Sequence, residues 1–422
     1  MARRRDLRVN AAAALARARL PRRAWELLGR PEAWLVGGWV RDRLLGRASR
    51  DLDLVLAGDH AAVGAAAARA AAALGVRPLA LGRPPRAIWR VETADLRLEL
   101  WPLGELDLEA DARRRDFTVN ALHWRLPSGP LVDRVGGLGD LAAMCLRAIS
   151  RANLERDPLR LLRGPRLLAE LPGFAIEPAT RRWIAELAPA LAGSPRERVG
   201  AELERLLEAP GAERGFREAV RLGLVAAAAP GPAPPGAGRG LAPALGRLAG
   251  TRPHPIPAAV RAAGPAARLA LVLLAWELPG ERTLASYAWP APRRRAARTA
   301  ATALETALRA ARGTPADRRE AIWRAGAAFP AVLALAAALR PGLEVWRAWW
   351  RMWRRRGPEL LELRPPLDPR EVARLAGVSP GPELGRLLAA LERAAARGEV
   401  RTPQSARRML CRVLRGRHPA LC

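Results

Sequence analysis

The chain contains no lysine. All 71 of its basic residues are arginine, against 41 acidic residues, for a formal net charge of +30 over 422 residues. A GC-rich coding bias, which also favours Ala, Gly, Pro and Trp, explains why arginine replaces lysine. It does not explain the excess of one sign. Such an excess points to a polyanionic partner, most often nucleic acid, because neutralised phosphates supply most of the non-specific affinity. Cysteine is nearly absent as well. Cys145, Cys411 and Cys422 are scattered, with no CxxC pair and no disulfide framework, which fits a reducing, cytoplasmic setting. Four scattered histidines suggest no metal cluster, and His123 is read as structural. No apolar run approaches eighteen residues without a charge, so no membrane partner is expected. The segment MARRRDLRVNAAAALARARL has the Arg and Ala content of an organellar transit segment. It lacks the serine content and carries Asp6, so an ordinary first helix is expected.

The length allows two or three domains, and the abundance of Ala and Leu predicts that helix dominates. Residues 1–145 mix short β-type runs with helices. WLVGG (34–38) reads as a strand entering a turn, VRDRLLG (40–46) as a helix, and DLDLVLAG (51–58) as a strand. A helix over 61–75 follows, then two strands at 87–92 and 96–101 that form a hairpin. From residue 146 the pattern turns helical, with apolar residues at three- and four-residue spacing over 157–171 and 196–209. Residues 226–240 are a Pro/Gly/Ala linker or long surface loop, and 241–422 form a helical body and tail. There is no internal repeat of fixed period. Within WRAWWRMWRRRG (346–357), Trp346, Trp349, Trp350 and Trp353 recur at helical spacing. That predicts a buried face with arginines outward, on RNA or solvent.

Chemistry concentrates near the N-terminus. Asp51 and Asp53 stand two apart, so they share one face of a strand. Two carboxylates so placed can hold Mg²⁺, which takes a few hard oxygens and leaves room for water and phosphate. A solvated strand edge would explain the pair equally well. Gly37 and Gly38 let the backbone approach a phosphate, the helix that follows turns its N–H groups to the anion, and Arg41 adds a charged fork. Glu99 on the neighbouring strand is the candidate third carboxylate; the alternative is an exposed strand glutamate.

The stretch GGWVRDRLLGRASRDLDLV (37–55) resembles the first motif of the bacterial tRNA nucleotidyltransferase and poly(A) polymerase family, which belongs to the polymerase-β-like nucleotidyltransferases. Further stretches match in order. RRDFTVNA (114–121) is similar to a motif associated with ribose and triphosphate, LVDRVGGLGDL (131–141) to the interdomain link, RDPLRLLRGPRLLAEL (156–171) to the nucleobase-reading helix, and SPRERVGAELERLL (194–207) to the helix supporting it. Residues 381–410 resemble the C-terminal helices of many members. The resemblance implies an α+β fold, with a nucleotidyltransferase head (1–145) followed by an all-α neck (146–225), body and tail, the last binding tRNA. It implies that Arg115, Asp116 and Asn120 meet triphosphate and ribose. It also makes Asp157 and Arg160 the base readers, supported by Arg198 and Glu202. The HD-type phosphohydrolase domain fused to some relatives is not seen.

The reading pair also has a physical argument. A carboxylate accepts from an exocyclic amine, and a guanidinium donates to a ring nitrogen or carbonyl. Cytosine and adenine satisfy both groups, whereas uracil and guanine leave groups unpaired, which is a strong form of rejection. The alternatives are an ordinary i, i+3 ion pair for Asp157 and Arg160, a solvated i, i+4 pair for Arg198 and Glu202, and a basic surface turn for Arg114–Asp116.

Two departures from the family pattern stand out. Arg156 precedes Asp157 where many relatives have Glu, with Glu155 one place earlier. Only fourteen residues separate Glu99 from Arg114, shorter than in many CCA-adding relatives and like the members that add only CC. The expected activity is Mg²⁺-dependent, template-independent addition of CMP and AMP to the 3′ end of tRNA from CTP and ATP. Poly(A) polymerase and a non-catalytic RNA-binding relative are the alternatives.

Overall fold

The computed structural model describes Leu15 and residues 18–414, apart from 83–86, 106, 235 and 278–279. Most of the expected first helix and Cys422 lie outside the described residues; the first described helix is Arg19–Leu27. The chain divides into two compact units, one through Leu191 and one from Ala192. That division falls inside the stretch read as neck.

The first unit is built on a seven-stranded sheet: β1 (Ala33–Val36), β2 (Asp51–Leu56), β3 (Leu79–Leu81), β4 (Ile88–Glu92), β5 (Arg97–Pro102), β6 (Leu122–Arg125) and β7 (Leu131–Asp133). The strand order is β3-β4-β5-β2-β1-β6-β7. β2 and β5 run parallel; the other neighbours are antiparallel. Strand alternation explains β2, where Leu52 and Leu54 are fully buried while Asp51 and Asp53 emerge on the opposite face. A parallel pair needs a crossover, and helix His60–Ala73 lies within it. Asp59 caps that helix by accepting from the Ala62 amide at 2.9 Å. Val63, Ala66, Ala67, Ala70 and Ala71 form its buried stripe. β4 and β5 make the expected hairpin, with Glu92 opposite Arg97.

The helix expected over 157–171 begins instead at Leu159 and runs to Glu170, after a separate helix Arg151–Arg156. Asp157 sits between them at φ −136°, ψ 88°. Pro158 is the physical reason, since the residue before a proline is pushed out of the α region.

The second unit is helical. The residues read as a linker or loop lie within this unit, their first part packed and Gly231, Pro232, Arg239 and Gly240 exposed. Helix Leu224–Ala227 takes in the first of them, and Ala228 and Ala229 are buried. The Ala228 carbonyl accepts from Tyr287 Oη at 2.6 Å and that of Ala229 from Arg196 Nη1 at 2.9 Å. The stretches Pro257–Ala275 and Pro315–Leu339 are long and apolar enough to cross a membrane by length and composition alone; more than half of each is buried within the fold, as in core helices. In helix Val345–Leu361, Trp346 and Trp349 are buried while Arg347, Arg351, Arg354, Arg355 and Arg356 are exposed. The helices from Pro369 to Leu414 close around their own apolar cluster, including Val372, Leu391 and Leu410.

Candidate active site

β1 ends at Val36, which pairs with Asp53 across the ladder. The chain then turns through Gly37 at φ 72°, ψ −145°. A side chain there is excluded twice. The backbone is one that L-residues avoid, and a Cβ would lie 2.6 Å from Asp53 Oδ2. The turn leads into helix Gly38–Leu44, which is pinned by Trp39. That ring stacks on Trp124 at 6.2 Å, and its Nε1 donates to the Ser49 carbonyl at 3.1 Å.

Asp51 and Asp53 share the same face of β2, and the β2–β5 register sets Glu99 opposite Asp53. Burial, then Glu99 and Asp51, push the Asp53 carboxyl up to about 7, against the pull of Arg115 and Arg163. Asp51 Oδ1 is shielded from solvent and makes no hydrogen bond; its nearest cation, Arg97 Nη1, is 3.7 Å away. A shielded, unbonded carboxylate oxygen beside a second carboxylate on the same strand face fits a divalent cation. Glu99 is engaged elsewhere, accepting from Arg90 Nη2 at 2.5 Å. Among the described residues no group of three or more His, Cys, Asp or Glu is placed to hold a metal.

The 114–121 motif is tied to the glycine turn by a chain of side chains. Arg41, itself buried, donates through Nη1 to Asn120 Oδ1 at 2.7 Å and pairs with Asp42 at 2.9 Å. Asn120 Nδ2 donates to Asp116 Oδ1 at 3.1 Å, and the Phe117 amide donates to the same oxygen at 2.6 Å. Arg163 Nη1 donates to Asp116 Oδ2 at 3.0 Å. Burial opposes the charge on Asp116, yet Arg163, the Phe117 amide and Asn120 hold its carboxyl down at about 2.

Asp157 and Arg160 do come together, Oδ2 to Nε at 3.7 Å. Arg160 Nη1 also donates to the carbonyls of Arg114 and Arg115 at 2.8 and 3.2 Å. Arg198 and Glu202 lie one turn apart on helix Arg196–Glu208 of the second unit, Glu202 buried and Arg198 exposed.

Three residues of this constellation escape the sequence reading. Arg163 is one turn beyond Arg160 on the same helix, and that spacing was a usable signal. Asp111 lies three and four residues before Arg114 and Arg115, a spacing that also suggests pairing. It is fully buried and binds both arginines and His123. Burial opposes its charge, but His123, Arg115 and Arg114 hold its carboxyl well below the usual range. Asn153 Nδ2 donates to the carbonyls of Arg113 and Arg115 at 2.6 and 2.8 Å; nothing in its sequence context announces this.

Comparison with known proteins agrees with this geometry. Residues 33–77 and 83–147 match the poly A polymerase head domain, and residues 173–234 match the probable RNA and SrmB-binding site of polymerase A. A CC-adding tRNA nucleotidyltransferase of Synechocystis is 39% identical over 199 residues, 46% of this chain and 46% of that one. An A-adding tRNA nucleotidyltransferase of Deinococcus radiodurans is 40% identical over 200 residues, 46% of this chain and 44% of its own length. The matched region thus spans about half the length of these curated relatives. The crystal structure of the Bacillus stearothermophilus CCA-adding enzyme in complex with CTP superposes with a TM-score of 0.65 at 26% identity, covering 94% of this chain and 97% of that one. The head-domain match runs through the glycine turn and the strand carboxylates, so this part of the chain is similar to the poly A polymerase head domain and to bacterial tRNA nucleotidyltransferases.

Proposed function

We propose that the chain extends the 3′ end of tRNA without a nucleic-acid template, using CTP and ATP, and that Asp51 and Asp53 hold Mg²⁺. The observation that carries this is the meeting of Gly37, Asp53 and Asp51 at the β1–β2 turn, in a chain whose relatives are CC-, A- and CCA-adding enzymes. In the reaction the terminal O3′ forms a bond to the α-phosphorus, the α–β phosphoanhydride breaks, and pyrophosphate leaves with the electron pair while the hydroxyl proton is lost. Bound Mg²⁺ supplies charge neutralisation at the attacking and leaving oxygens. The chain's own groups position the reactants. Gly37 and Gly38 admit the triphosphate close to the backbone, beside the fixed guanidinium of Arg41. Arg115, Asp116 and Asn120 hold phosphate and ribose, and Glu99 adds negative potential behind Asp53.

Asp157 and Arg160 read the base, the carboxylate accepting the exocyclic amine of C or A and the guanidinium donating to the neighbouring acceptor. The helical body and tail bind tRNA. The free thiol of Cys145 suits a cytoplasmic site of action. The fourteen residues between Glu99 and Arg114, together with CC-adding relatives in three organisms, support a product that stops at CC as the second reading beside CCA.

The test is 3′-end sequencing of a tRNA transcript ending at the discriminator base, after incubation with the protein, Mg²⁺, CTP and ATP. CC or CCA ends, lost in Asp53→Ala while tRNA binding is kept, are the expected result. A long A tail would make the protein a poly(A) polymerase. No addition by the wild type would make it a non-catalytic RNA binder.

A further inference from the structure

Asp111 has no part in the reaction described above, yet it is a fully buried carboxylate in the helix Leu108–Arg113 that leads to the Arg114–Arg115 turn. Its Oδ1 accepts from Arg114 Nε at 2.8 Å and Nη2 at 2.6 Å. Its Oδ2 accepts from Arg115 Nε at 2.8 Å and Nη2 at 2.7 Å, and lies 2.8 Å from His123 Nε2. The two arginines therefore spend the same pair of donors on one carboxylate, and each keeps its Nη1. Arg115 is further fixed over the Trp101 ring at 5.4 Å, on the strand that carries Glu99, and its charge acts on Asp53. Arg114 remains partly open to solvent, with 42% of its side chain exposed.

Packing alone would be served as well by an apolar residue, because a buried ion pair contributes little net stability. A buried carboxylate does something an apolar residue cannot, which is to hold two like-charged guanidiniums side by side. Unneutralised, these would repel one another and adopt many rotamers. Two adjacent forks with one donor each left over match the oxygen-rich, anionic polyphosphate of a nucleotide.

We infer that Asp111 is a positioning residue for the incoming nucleoside triphosphate, fixing Arg114 and Arg115 so that their remaining donors meet its β- and γ-phosphates. This rests on the reading of the 114–121 motif as the triphosphate site. Its direct readout is preference for triphosphate over monophosphate, measured by calorimetric titration of the full chain with CTP and with CMP, alongside KM and kcat for CTP incorporation into the tRNA transcript.

Asp111→Asn is expected to cut the CTP-over-CMP affinity ratio by about tenfold and to raise KM for CTP by a similar factor, as loss of one charge-assisted contact does. The KM for tRNA should stay within about twofold, and Asp111→Glu should recover part of the loss. His123→Gln, which loosens Asp111 without touching either arginine, should shift CTP in the same direction by less. A folded Asp111→Asn with an unchanged CTP-over-CMP ratio overturns the proposal. So does a wild type that does not prefer CTP over CMP. If Asp111→Asn fails to fold, an unchanged ratio in folded His123→Gln overturns it too. A wild type that prefers CTP but incorporates nothing would refute the transfer reaction alone, and loss of that preference in Asp111→Asn would still support the positioning role.

Discussion

Gly37→Ala tests the geometry of the site most sharply. At φ 72°, ψ −145° an alanine is held in a sparsely populated region that costs about 1–3 kcal/mol. Its Cβ would also meet Asp53 Oδ2 at 2.6 Å. The backbone has little freedom to retreat, because Val36 is paired to Asp53 in the β1–β2 ladder and Leu35 before it is paired to Leu54. The carboxylate must rotate instead, at a further cost of about 0.5–1.5 kcal/mol. The sum is a destabilisation of about 1.5–4.5 kcal/mol, read by urea denaturation. Displacing a reacting group by about 1 Å costs on the order of 10²-fold in rate, read by CTP incorporation. Gly46→Ala is the control, since Gly46 also has φ 72° but nothing lies within 4 Å of its added Cβ. It should lose stability and keep activity. Incorporation by Gly37→Ala within about threefold of wild type, or equal inactivity in Gly46→Ala, would refute the argument.

Other predictions concern charge and packing. The raised Asp53 carboxyl, near 7 in the fold against an ordinary 3.8, keeps its proton in the folded state while the unfolded chain has lost it, so metal-free stability should fall as pH rises from about 4 to 7. Asp53→Asn removes that fall and should exceed the metal-free wild type at pH 8 by up to about 4 kcal/mol in urea unfolding; a flat wild-type profile across that window would count against the assignment. Asp116, held at about 2, has the opposite sign. Its contribution of about 2 kcal/mol is present above pH 4 and lost as pH falls towards 2, and Asp116→Asn should lose it at neutral pH. Replacing Arg354, Arg355 and Arg356 together should weaken tRNA binding and flatten its salt dependence, and equal affinity across a salt series would remove that face from the RNA surface. Trp349→Ala should cost about 3–5 kcal/mol through the cavity it leaves, measured by thermal unfolding.

Much of the head was legible because its signals are local. Alternation in DLDLVL, a glycine pair after a strand and a hairpin spacing each specify their own few residues. Three-residue spacing predicts Asp157 on the helix with Arg160, but Pro158 restricts the residue before it and keeps Asp157 out of the α region. Arg41 reads as a charged fork on the helix after the glycine turn; its partner Asn120 lies 79 positions away, and no periodicity reports a contact at that range. Asp111 has i+3 and i+4 partners, yet on an arginine-rich chain such spacings recur everywhere and lose their meaning, and Arg163 pairs with Asp116, 47 positions away. Burial is what separates the working pairs from the solvated ones, and burial belongs to the fold.

The hold on Arg160 has an evolutionary consequence. Its Nη1 is anchored by the main-chain carbonyls of Arg114 and Arg115, which every amino acid possesses. If Arg114 and Arg115 meet the triphosphate and Arg160 reads the base, as proposed, point substitutions at those two positions can retune the first contact while Arg160 keeps its anchor. Insertions or deletions in the turn shift both carbonyls at once. The turn is therefore tolerant to drift in composition and brittle to change in length, and new nucleotide preferences on this scaffold should arise by gaining or losing residues near it more readily than by exchanging them.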